Sequence, residues 1–260
     1  MRTERGIPAK NPFPVPAPHS VASPSPKPEC ARRVQIVVPT CNERAAIPEI
    51  VRSLSALGSG LSPLFVDGGS TDGTKRWLEE HGQAVIGAER GRGAQLAAGA
   101  CHALTRPGAT ILWFVHADCR PQADALTRIC DAVDAGAVAG ACTLRFTGGW
   151  AARFMTRFYA VLNRCGLYYG DATLFVRADV YEACGGYGPQ PLFEDVDLVR
   201  RLRRGYPGGF RRIPVEVVAS SRRFDGLRFP LVFALWILLQ TLYWCGVPPR
   251  LLAKAYRLSR

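Results

Sequence analysis

Acidic side chains stand at places in this 260-residue chain where carboxylates could do chemistry. Asp67 and Asp118 each come just after a short apolar run, and Glu194 and Asp195 open a later amphipathic stretch. A carboxylate at the end of a buried strand can accept hydrogen bonds from a ribose, or hold a divalent cation that neutralises a pyrophosphate. A carboxylate at the start of a helix can act as general base for a hydroxyl nucleophile. These residue types point to nucleotide binding combined with proton removal from an acceptor.

Each motif also has a simpler interpretation. The loop 67–75, Asp-Gly-Gly-Ser-Thr-Asp-Gly-Thr-Lys, is similar to a phosphate-binding P-loop, but its Gly-Thr-Lys ending reverses the order that motif needs. Asp72, Asp118 and the acids at 194–197 could serve only as helix caps or as partners of helix dipoles. Arg90-Gly-Arg92-Gly could be an anion seat or a solvated loop. Taken singly, the motifs leave these alternatives open.

The segments that must position these residues alternate between strand-like and helix-like patterns. Strands are predicted at Val34–Val38, Leu64–Val66, Ala84–Ile86 and Thr110–Val115. Helices are predicted at Ile47–Leu57, Thr74–His81, Ala94–Leu104 and Pro121–Ala135. This succession predicts an α/β fold with a mostly parallel central sheet flanked by helices. Ligands of such sheets bind beyond the carboxyl ends of the strands, which is where the candidate residues lie.

The second half of the chain has a mixed pattern. Further strands are predicted at Val138–Phe146 and Thr173–Val176, and further helices at Ala151–Leu162, at Ala178–Cys184 and from Glu194 onward. Residues 1–29 hold eight of the twenty prolines without an apolar period. The prediction therefore divides the chain into a disordered Pro-rich tail at 1–32, one α/β domain at 33–225 and a C-terminal apolar and basic helical segment at 226–260.

Composition excludes several classes of protein. Nine cysteines, an odd number without a C-x-x-C pair, argue against a disulfide framework or a structural zinc site and for reduced thiols in the cytoplasm. The N-terminal tail lacks the apolar stretch of a signal peptide. The net charge of +12 is concentrated in residues 200–260, where thirteen Lys and Arg accompany two acids. That region would attract phosphates, whether of a small molecule, an anionic lipid or a nucleic acid.

Residues 229–245 are almost wholly apolar and sit at the lower length limit for a membrane span. The flanking arginines and the Pro248-Pro249 break fit a helix that lies on the cytoplasmic face of an anionic membrane, with Trp236 and Trp244 at interfacial depth. The alternatives are packing against the domain's own core, packing against a second copy, and a true membrane span.

Taken in order, the motifs resemble those of family 2 glycosyltransferases over about residues 33–225. The matching stretches are Pro39-Thr-Cys-Asn-Glu43, Asp67-Gly-Gly-Ser-Thr-Asp-Gly-Thr74, Arg90-Gly-Arg-Gly-Ala-Gln95 with Gly99, His116-Ala-Asp118 and Glu194-Asp-Val-Asp-Leu198. The His-Ala-Asp triplet and the later Tyr169-Gly-Asp171 are similar to a bacterial subgroup named as arsenosugar-biosynthesis or carotenoid-type glycosyltransferases. The resemblance implies the GT-A fold, a UDP- or GDP-sugar donor, a divalent cation (Mn2+ or Mg2+) and inversion at the anomeric carbon.

The resemblance also implies a role for each matching residue. The implied donor nucleotide-binding residues are Pro39, Thr40, Asn42, Glu43, Asp67, Gly68, Gly69, Asp72, Arg90, Arg92, Gln95 and Ala117. Asp118 would ligate the metal, and Asp195 would be the general base with Glu194 beside it. The candidates for contacts with the acceptor or the diphosphate are His116, Tyr169, Gly170, Asp171 and Arg223.

Two departures from the family pattern refine the expectation. His116 stands where many relatives carry an acid, which leaves the metal one carboxylate fewer. Ser220-Ser-Arg-Arg-Phe224 keeps Arg223 but neither the Gln nor the Trp of the processive members, which predicts transfer of a single sugar to a small-molecule or lipid-like acceptor. Two other functions are considered. A nucleotidyltransferase would need a basic Gly-rich loop directly after the first strand, and residues 39–43 lack one. The other is a non-enzymatic basic module that binds lipid or nucleic acid; for the glycosyltransferase itself, no nucleic-acid partner is expected.

Overall fold

A hydrophobic sheet organises the chain, whose computed structural model describes residues 28–169, 172–188, 190–220 and 229–258. Its strands are β1 (Val34–Thr40), β2 (Leu64–Asp67), β3 (Ala84–Gly87), β4 (Ile111–Phe114), β5 (Cys119–Pro121), β6 (Ala139–Thr147), β7 (Leu174–Arg177) and β8 (Phe210–Ser220). The helices are α1 (Pro28–Arg33), α2 (Ile47–Ser55), α3 (Thr74–Glu80), α4 (Arg92–Leu104), α5 (Ala125–Asp134), α6 (Trp150–Arg164), α7 (Ala178–Ala183), α8 (Glu194–Gly205), α9 (Phe229–Trp244) and α10 (Pro249–Leu258).

The strands follow the order β3-β2-β1-β4-β7-β6-β8-β5. The pairs β1–β2, β1–β4, β2–β3 and β6–β8 are parallel, and the other three are antiparallel, so the predicted mostly parallel sheet is confirmed. β1, β2 and β4 are apolar and buried almost throughout, as expected of strands covered by helices on both faces. Thr40 of β1 pairs with Asp67 of β2, so their polar ends lie side by side at one edge.

Helix α4 packs closely against this edge. A Cβ atom at Gly99 would lie 2.8 Å from Cγ2 of Val66 in β2, so the helix can approach the sheet only because this position has no side chain. This close packing brings Arg92 and Gln95, both near the start of α4, to the carboxyl ends of β1 and β2. The position of the helix thus depends on a residue that carries no chemistry itself.

Three elements differ from the sequence prediction. The helix predicted from Pro121 begins instead at Ala125, because Cys119–Pro121 form the edge strand β5. β8 was not predicted, since a proline inside a strand pattern argues against a strand. The structure accommodates Pro214 at an irregularity, where pairing with β6 shifts between Ala141 and Thr143.

The ends of the described chain also differ from the expectation. α1 begins at Pro28 and buries Cys30 and Ala31 in the core, so the folded part starts before the predicted boundary at residue 33. The rest of the predicted tail lies outside the described residues. α10 lies within the predicted helical segment at 226–260, where no separate second helix was predicted, and it packs with α9 through the cluster of Leu239 and Leu252. The described helices include none that is long and apolar enough to cross a bilayer.

Candidate functional site

The loops that follow β1 and β2 are held together by hydrogen bonds. The Asn42 amide donates to Ser70 Oγ (3.0 Å), and the Thr71 amide donates to Asn42 Oδ1 (2.8 Å). Asp72 accepts from the Arg44 amide and from the Thr74 hydroxyl, at 3.0 and 2.6 Å. Burial alone would raise the pKa of Asp72, but these hydrogen bonds outweigh burial and lower the pKa. Asp72 is therefore ionised at neutral pH, and its hydrogen bonds hold the two loops together.

Asp67 has one carboxylate oxygen in use and one without a partner. Its Oδ2 accepts hydrogen bonds from the Gly69 and Ser70 amides, each at 3.0 Å. Its Oδ1 is buried and has no partner among the described residues. A buried carboxylate oxygen without a donor is costly, and a ribose hydroxyl or a base N–H would supply the missing donor. This is the observation that best fits the predicted nucleoside pocket.

Gln95 connects the two strands that carry these loops. Its Nε2 donates to the carbonyl of Thr40 (2.7 Å) and to that of Val66 (2.8 Å). Both amide hydrogens are thereby used, so the role of Gln95 is to fix the strand ends rather than to donate to a ligand. Gly68 lies directly against this amide, because a Cβ there would be 2.9 Å from Gln95 Cδ.

The triplet after β4 lies between the sheet and the edge strand β5. Ala117 is buried, whereas His116 and Asp118 are partly exposed at the carboxyl end of the sheet. The Cys119 amide donates to the His116 carbonyl (3.0 Å), which closes a tight turn around Ala117 and Asp118. The pairing of β5 with β8 then holds the end of this turn in place. Asp118 consequently lies in a short connection between two strands that are both paired in the sheet.

Glu194 and Asp195 are both buried, at 2% exposure each, at the start of α8. Arg92 forms ion pairs with both, through Nε to Glu194 and through a terminal nitrogen to Asp195 Oδ2 at 3.3 Å. Burial raises the pKa of Glu194, whereas the charge of Arg92 lowers it. Arg92, expected as a donor-binding residue, is in this structure the counter-ion of the two acids. Arg90 is exposed and lies outside this ion-pair network.

Phe193, the residue before the acids, has an unusual backbone conformation. Its φ is 62°, in the left-handed region that bulky residues rarely adopt. Its ring is buried and packs against Tyr243 of α9 at a centroid distance of 4.7 Å. The C-terminal helices therefore hold the residue that sets the direction of Glu194 and Asp195.

A cavity of about 260 Å³ opens onto these acids. Its lining residues are Arg92, His116, Tyr169, Pro191, Leu192, Phe193, Glu194, Asp195, Trp236 and Tyr256. It joins the end of β4, the start of α4 and the start of α8, which the sequence places far apart. Two of the walls, Trp236 and Tyr256, come from α9 and α10.

The sequence analysis missed this covering role of the C-terminal helices. Trp236 was expected at interfacial depth, but its ring packs 4.8 Å from that of Tyr169 and faces the cavity. The Tyr169 hydroxyl donates to Gln240 Oε1 at 2.9 Å. Burial and the nearby charge of Asp195 raise the pKa of Tyr169, so its hydroxyl stays neutral at physiological pH. The polar Gln240 within the apolar run was the one sequence signal for an inward face.

A divalent cation at Asp118 is compatible with the residues present. No cluster of three or more His, Cys, Asp or Glu side chains suited to a metal occurs within the described ranges. Mg2+ and Mn2+ are commonly held by one or two carboxylates, with substrate phosphates and water completing the shell. Asp118 offers one such carboxylate, so the remaining ligands would come from a bound diphosphate.

The structure thus brings most of the predicted residues to one edge of the sheet. One group belongs to the two loops joined by hydrogen bonds and to the ends of the strands that carry them: Pro39, Thr40, Asn42, Glu43, Asp67, Gly68, Gly69 and Asp72. His116, Tyr169, Glu194, Asp195 and Arg92 share the cavity. Gly170, Asp171 and Arg223 lie outside the described residues.

Known proteins resemble this chain in sequence and in fold. Residues 35–194 match the family described as glycosyl transferase family 2. Polyprenol monophosphomannose synthase of Mycolicibacterium smegmatis is 30% identical over 214 residues, which cover 78% of this chain and 77% of that protein.

Solved structures share the fold at lower identity. Glucosyl-3-phosphoglycerate synthase of Mycobacterium tuberculosis, solved with Mn2+, UDP and glucosyl-3-phosphoglycerate, has a TM-score of 0.59 at 18% identity over 85% of this chain and 84% of its own. Mannosyltransferase PcManGT of Pyrobaculum calidifontis, with GDP-Man and Mn2+, has a TM-score of 0.57 at 24% identity over 86% and 69%. For S. aureus TarS 1-349 the TM-score is 0.53 at 15% identity, over 73% of this chain and 60% of that one.

Proposed function

The chain belongs to glycosyl transferase family 2, and from that premise we propose that it is an inverting glycosyltransferase, which moves a single sugar from a UDP- or GDP-sugar to a lipid-like acceptor. The coarser statement, a nucleotide-sugar glycosyltransferase of the GT-A fold, follows from the family and the shared fold. The observation that carries the finer proposal is the position of Asp195, which is buried, paired with Arg92 and part of the lining of the cavity.

The first step is donor binding at the carboxyl ends of β1, β2 and β4. The unpartnered Oδ1 of Asp67 would accept a hydrogen bond from the nucleoside. Asn42 and Asp72 hold together the loops that follow β1 and β2, at the end of the strand that carries this buried oxygen. Asp118 would hold the cation, which when bound offsets the negative charge that grows on the departing diphosphate.

The second step is activation of the acceptor. Asp195 would remove the proton from the acceptor hydroxyl, which is the P–OH group if the acceptor is a polyprenyl phosphate. The oxygen would attack the anomeric carbon from the side opposite the diphosphate, and the bond from that carbon to the diphosphate would break, so that the nucleoside diphosphate leaves. That direction of attack inverts the anomeric configuration. Arg92 orients the carboxylate through its contact at 3.3 Å, and Glu194 holds the other side of the guanidinium. The cavity between Asp195, His116 and Tyr169 would hold the acceptor head, including a phosphate if the acceptor is a phospholipid.

The acceptor class is argued from the walls of the cavity. Leu192, Phe193 and Trp236 give it apolar sides, next to the polar Arg92 and His116. This mixture suits a molecule with a polar head and an apolar tail. The name of the Mycolicibacterium smegmatis relative refers to a polyprenol phosphate, which has this character. The similarity of His116-Ala-Asp118 to the arsenosugar and carotenoid subgroup keeps a small-molecule acceptor as the second candidate. We place the enzyme in the cytoplasm, at an anionic membrane face.

Calorimetric titration tests the donor half. UDP, GDP and their mannose and glucose conjugates are titrated with and without Mn2+ into the wild type, Asp118→Asn and Asp197→Asn. Asp197 is the matched control, since it lies on α8 but pairs with Arg200 and Arg201 instead of facing the cavity. We expect metal-dependent binding of one nucleotide that is lost in Asp118→Asn alone. Nucleotide binding to none of these folded proteins would favour the basic lipid- or nucleic-acid-binding module.

A transfer assay tests the acceptor half. With a short polyprenyl phosphate as acceptor, Asp195→Asn should retain donor binding and lower turnover by about 10²-fold or more. Proton NMR of the product should show one added sugar with the configuration opposite to that of the donor. A ladder of products, or retention of configuration, would contradict the proposal.

A further inference from the structure

Exposed apolar side chains are concentrated on one side of the molecule. All the strongly exposed large apolar side chains of the described ranges lie on α6, α9 and α10. The most prominent are Trp150 and Val161 on α6 and Leu231, Leu238 and Trp244 on α9, each more than half exposed. We call this exposed surface of α6, α9 and α10 the outer face.

α6 and α9 form one continuous surface. Phe154 of α6 packs edge-to-face on Phe233 of α9 at 5.3 Å, and Trp150 packs on Phe229 at the same distance. α9 is apolar on every side, and such a helix is ordinarily covered on every side, by protein or by lipid. Here only the inner side of α9 is covered, where Leu239 packs with Phe193 and Leu252 and Trp236 lines the cavity. The outer side has no cover among the described residues.

Positive charges accompany the outer face, and negative charges do not. Arg153, Arg157 and Arg164 lie at helical spacing along the exposed side of α6, and α10 adds Arg250 and Lys254. The sequences of α6, α9 and α10 contain no Asp or Glu. Apolar side chains between cations without acids are the composition of a surface that lies on anionic lipid.

We propose that the outer face docks the protein onto an anionic lipid bilayer, with α9 lying along the interface. A second copy fits this surface less well, because a two-fold contact would place the arginines of α6 close to those of the other copy without any acid between them. α9 has 16 residues and lies on the bilayer instead of crossing it.

Docking would also orient the cavity. The same helix that presents Leu231 and Leu238 outward presents Trp236 to the cavity, one helix diameter away. A lipid-like acceptor would therefore reach Asp195 by moving past α9 from the membrane surface. The route of the acceptor past α9 rests on the proposed function, whereas the docking of the outer face onto the bilayer does not.

Co-sedimentation with vesicles tests the proposal. The full chain is mixed with vesicles of phosphatidylcholine, or of phosphatidylcholine and phosphatidylglycerol in equal parts. We expect binding to the mixed vesicles, reduced by about tenfold or more in a variant carrying Trp150→Ser and Leu238→Ser. Lys254→Glu should weaken binding to the mixed vesicles severalfold. Its matched control is Lys75→Glu, the same charge reversal on the exposed surface of α3, which should bind as the wild type does.

Three results would overturn the proposal. The wild type stays in the supernatant with both vesicles; the Trp150 and Leu238 variant binds as tightly as the wild type; or Lys75→Glu weakens binding as much as Lys254→Glu. Analytical ultracentrifugation tests whether a second copy occupies the outer face instead, since a dimer that the serine variant dissociates would assign the outer face to a second copy.

Donor binding by calorimetry is measured on the same variants. Its presence without vesicle binding would refute docking while leaving the proposed donor chemistry intact, and its absence in the wild type would refute only the latter.

Discussion

Removal of the Arg92 charge should make the stability of the protein depend strongly on pH. Arg92 is the guanidinium that pairs with Glu194, whose side chain is 1% exposed, and with Asp195, at 3%. Arg92→Met keeps an unbranched, flexible side chain and removes the charge and the hydrogen bonds of the guanidinium. The buried carboxylate of Glu194 then has no counter-ion in this pair.

The size of the effect follows from the burial of Glu194. Removing one partner of a buried ion pair costs about 3–5 kcal/mol, and the lower end applies here because Arg92 is 35% exposed. For a protein of this size, 1 kcal/mol corresponds to about 2–4 °C in Tm, so we expect a loss of about 6–12 °C at pH 8. Burial already raises the pKa of Glu194 and Arg92 opposes that rise, so the pKa rises further in the variant.

The direction of the pH dependence follows from proton binding. A carboxyl group with a raised pKa in the folded state binds its proton more tightly when folded, so stability falls as pH rises from the unfolded pKa towards the folded one. Because the pKa of Glu194 in the folded state rises further in the variant, the pH range over which stability falls becomes wider. The Tm deficit of the variant should therefore be smaller at pH 5 than at pH 8.

Differential scanning fluorimetry from pH 5 to pH 8 measures this deficit. Arg200→Met is the control, because Arg200 pairs with Asp197 on the same helix but is 54% exposed, and exposed pairs contribute about 0–1 kcal/mol. A deficit that is equal at both pH values, or a control deficit of the same size, would refute the reasoning.

Three further substitutions probe the support of the site. Gln95→Leu leaves the Thr40 and Val66 carbonyls without their donor, so we expect a loss of about 1–3 kcal/mol in urea unfolding and weaker nucleotide binding by calorimetry; unchanged values for both would contradict the bridging role. Gly99→Ala places a methyl group against Val37 and 2.8 Å from Val66, so it should destabilise the protein by about 1–3 kcal/mol in the same assay and weaken nucleotide binding by moving α4; unchanged stability would contradict the close packing. Phe193→Gly relieves a left-handed backbone but removes the ring that packs on α9, so turnover should fall more than the KM for donor changes; equal turnover in steady-state kinetics would show that the ring does not position the acids.

Much of the donor half of the fold was predictable from the sequence. Short apolar runs followed by Gly- and Asp-rich loops indicated strands whose carboxyl ends carry polar residues, and β1, β2 and β4 have that arrangement. The pairing of Thr40 with Asp67 follows from parallel neighbours of this kind. Local pattern and topology agree here, which is why the prediction was accurate.

The acceptor half depends on contacts between distant segments, which a local pattern does not reveal. β5 has three residues, too few for a periodic signal, and β8 contains Pro214 and two arginines. α9 is apolar on all sides, so its sequence gave no inward face beyond Gln240. Trp236 and Trp244 have the same type and the same helix, yet one lines the cavity and the other is 56% exposed. The partnership of Arg92 with Glu194 joins residues more than a hundred positions apart.

The edge position of β5 has a consequence for how the protein is made. β5 follows Asp118 directly, and its neighbour in the sheet is β8, which begins only at Phe210. The ribosome therefore completes the nucleoside end of the sheet, β1 to β4, well before the strand that fixes Asp118 emerges. α9 and α10, which cover the cavity, emerge last. The capacity for group transfer therefore arises only when translation is almost complete.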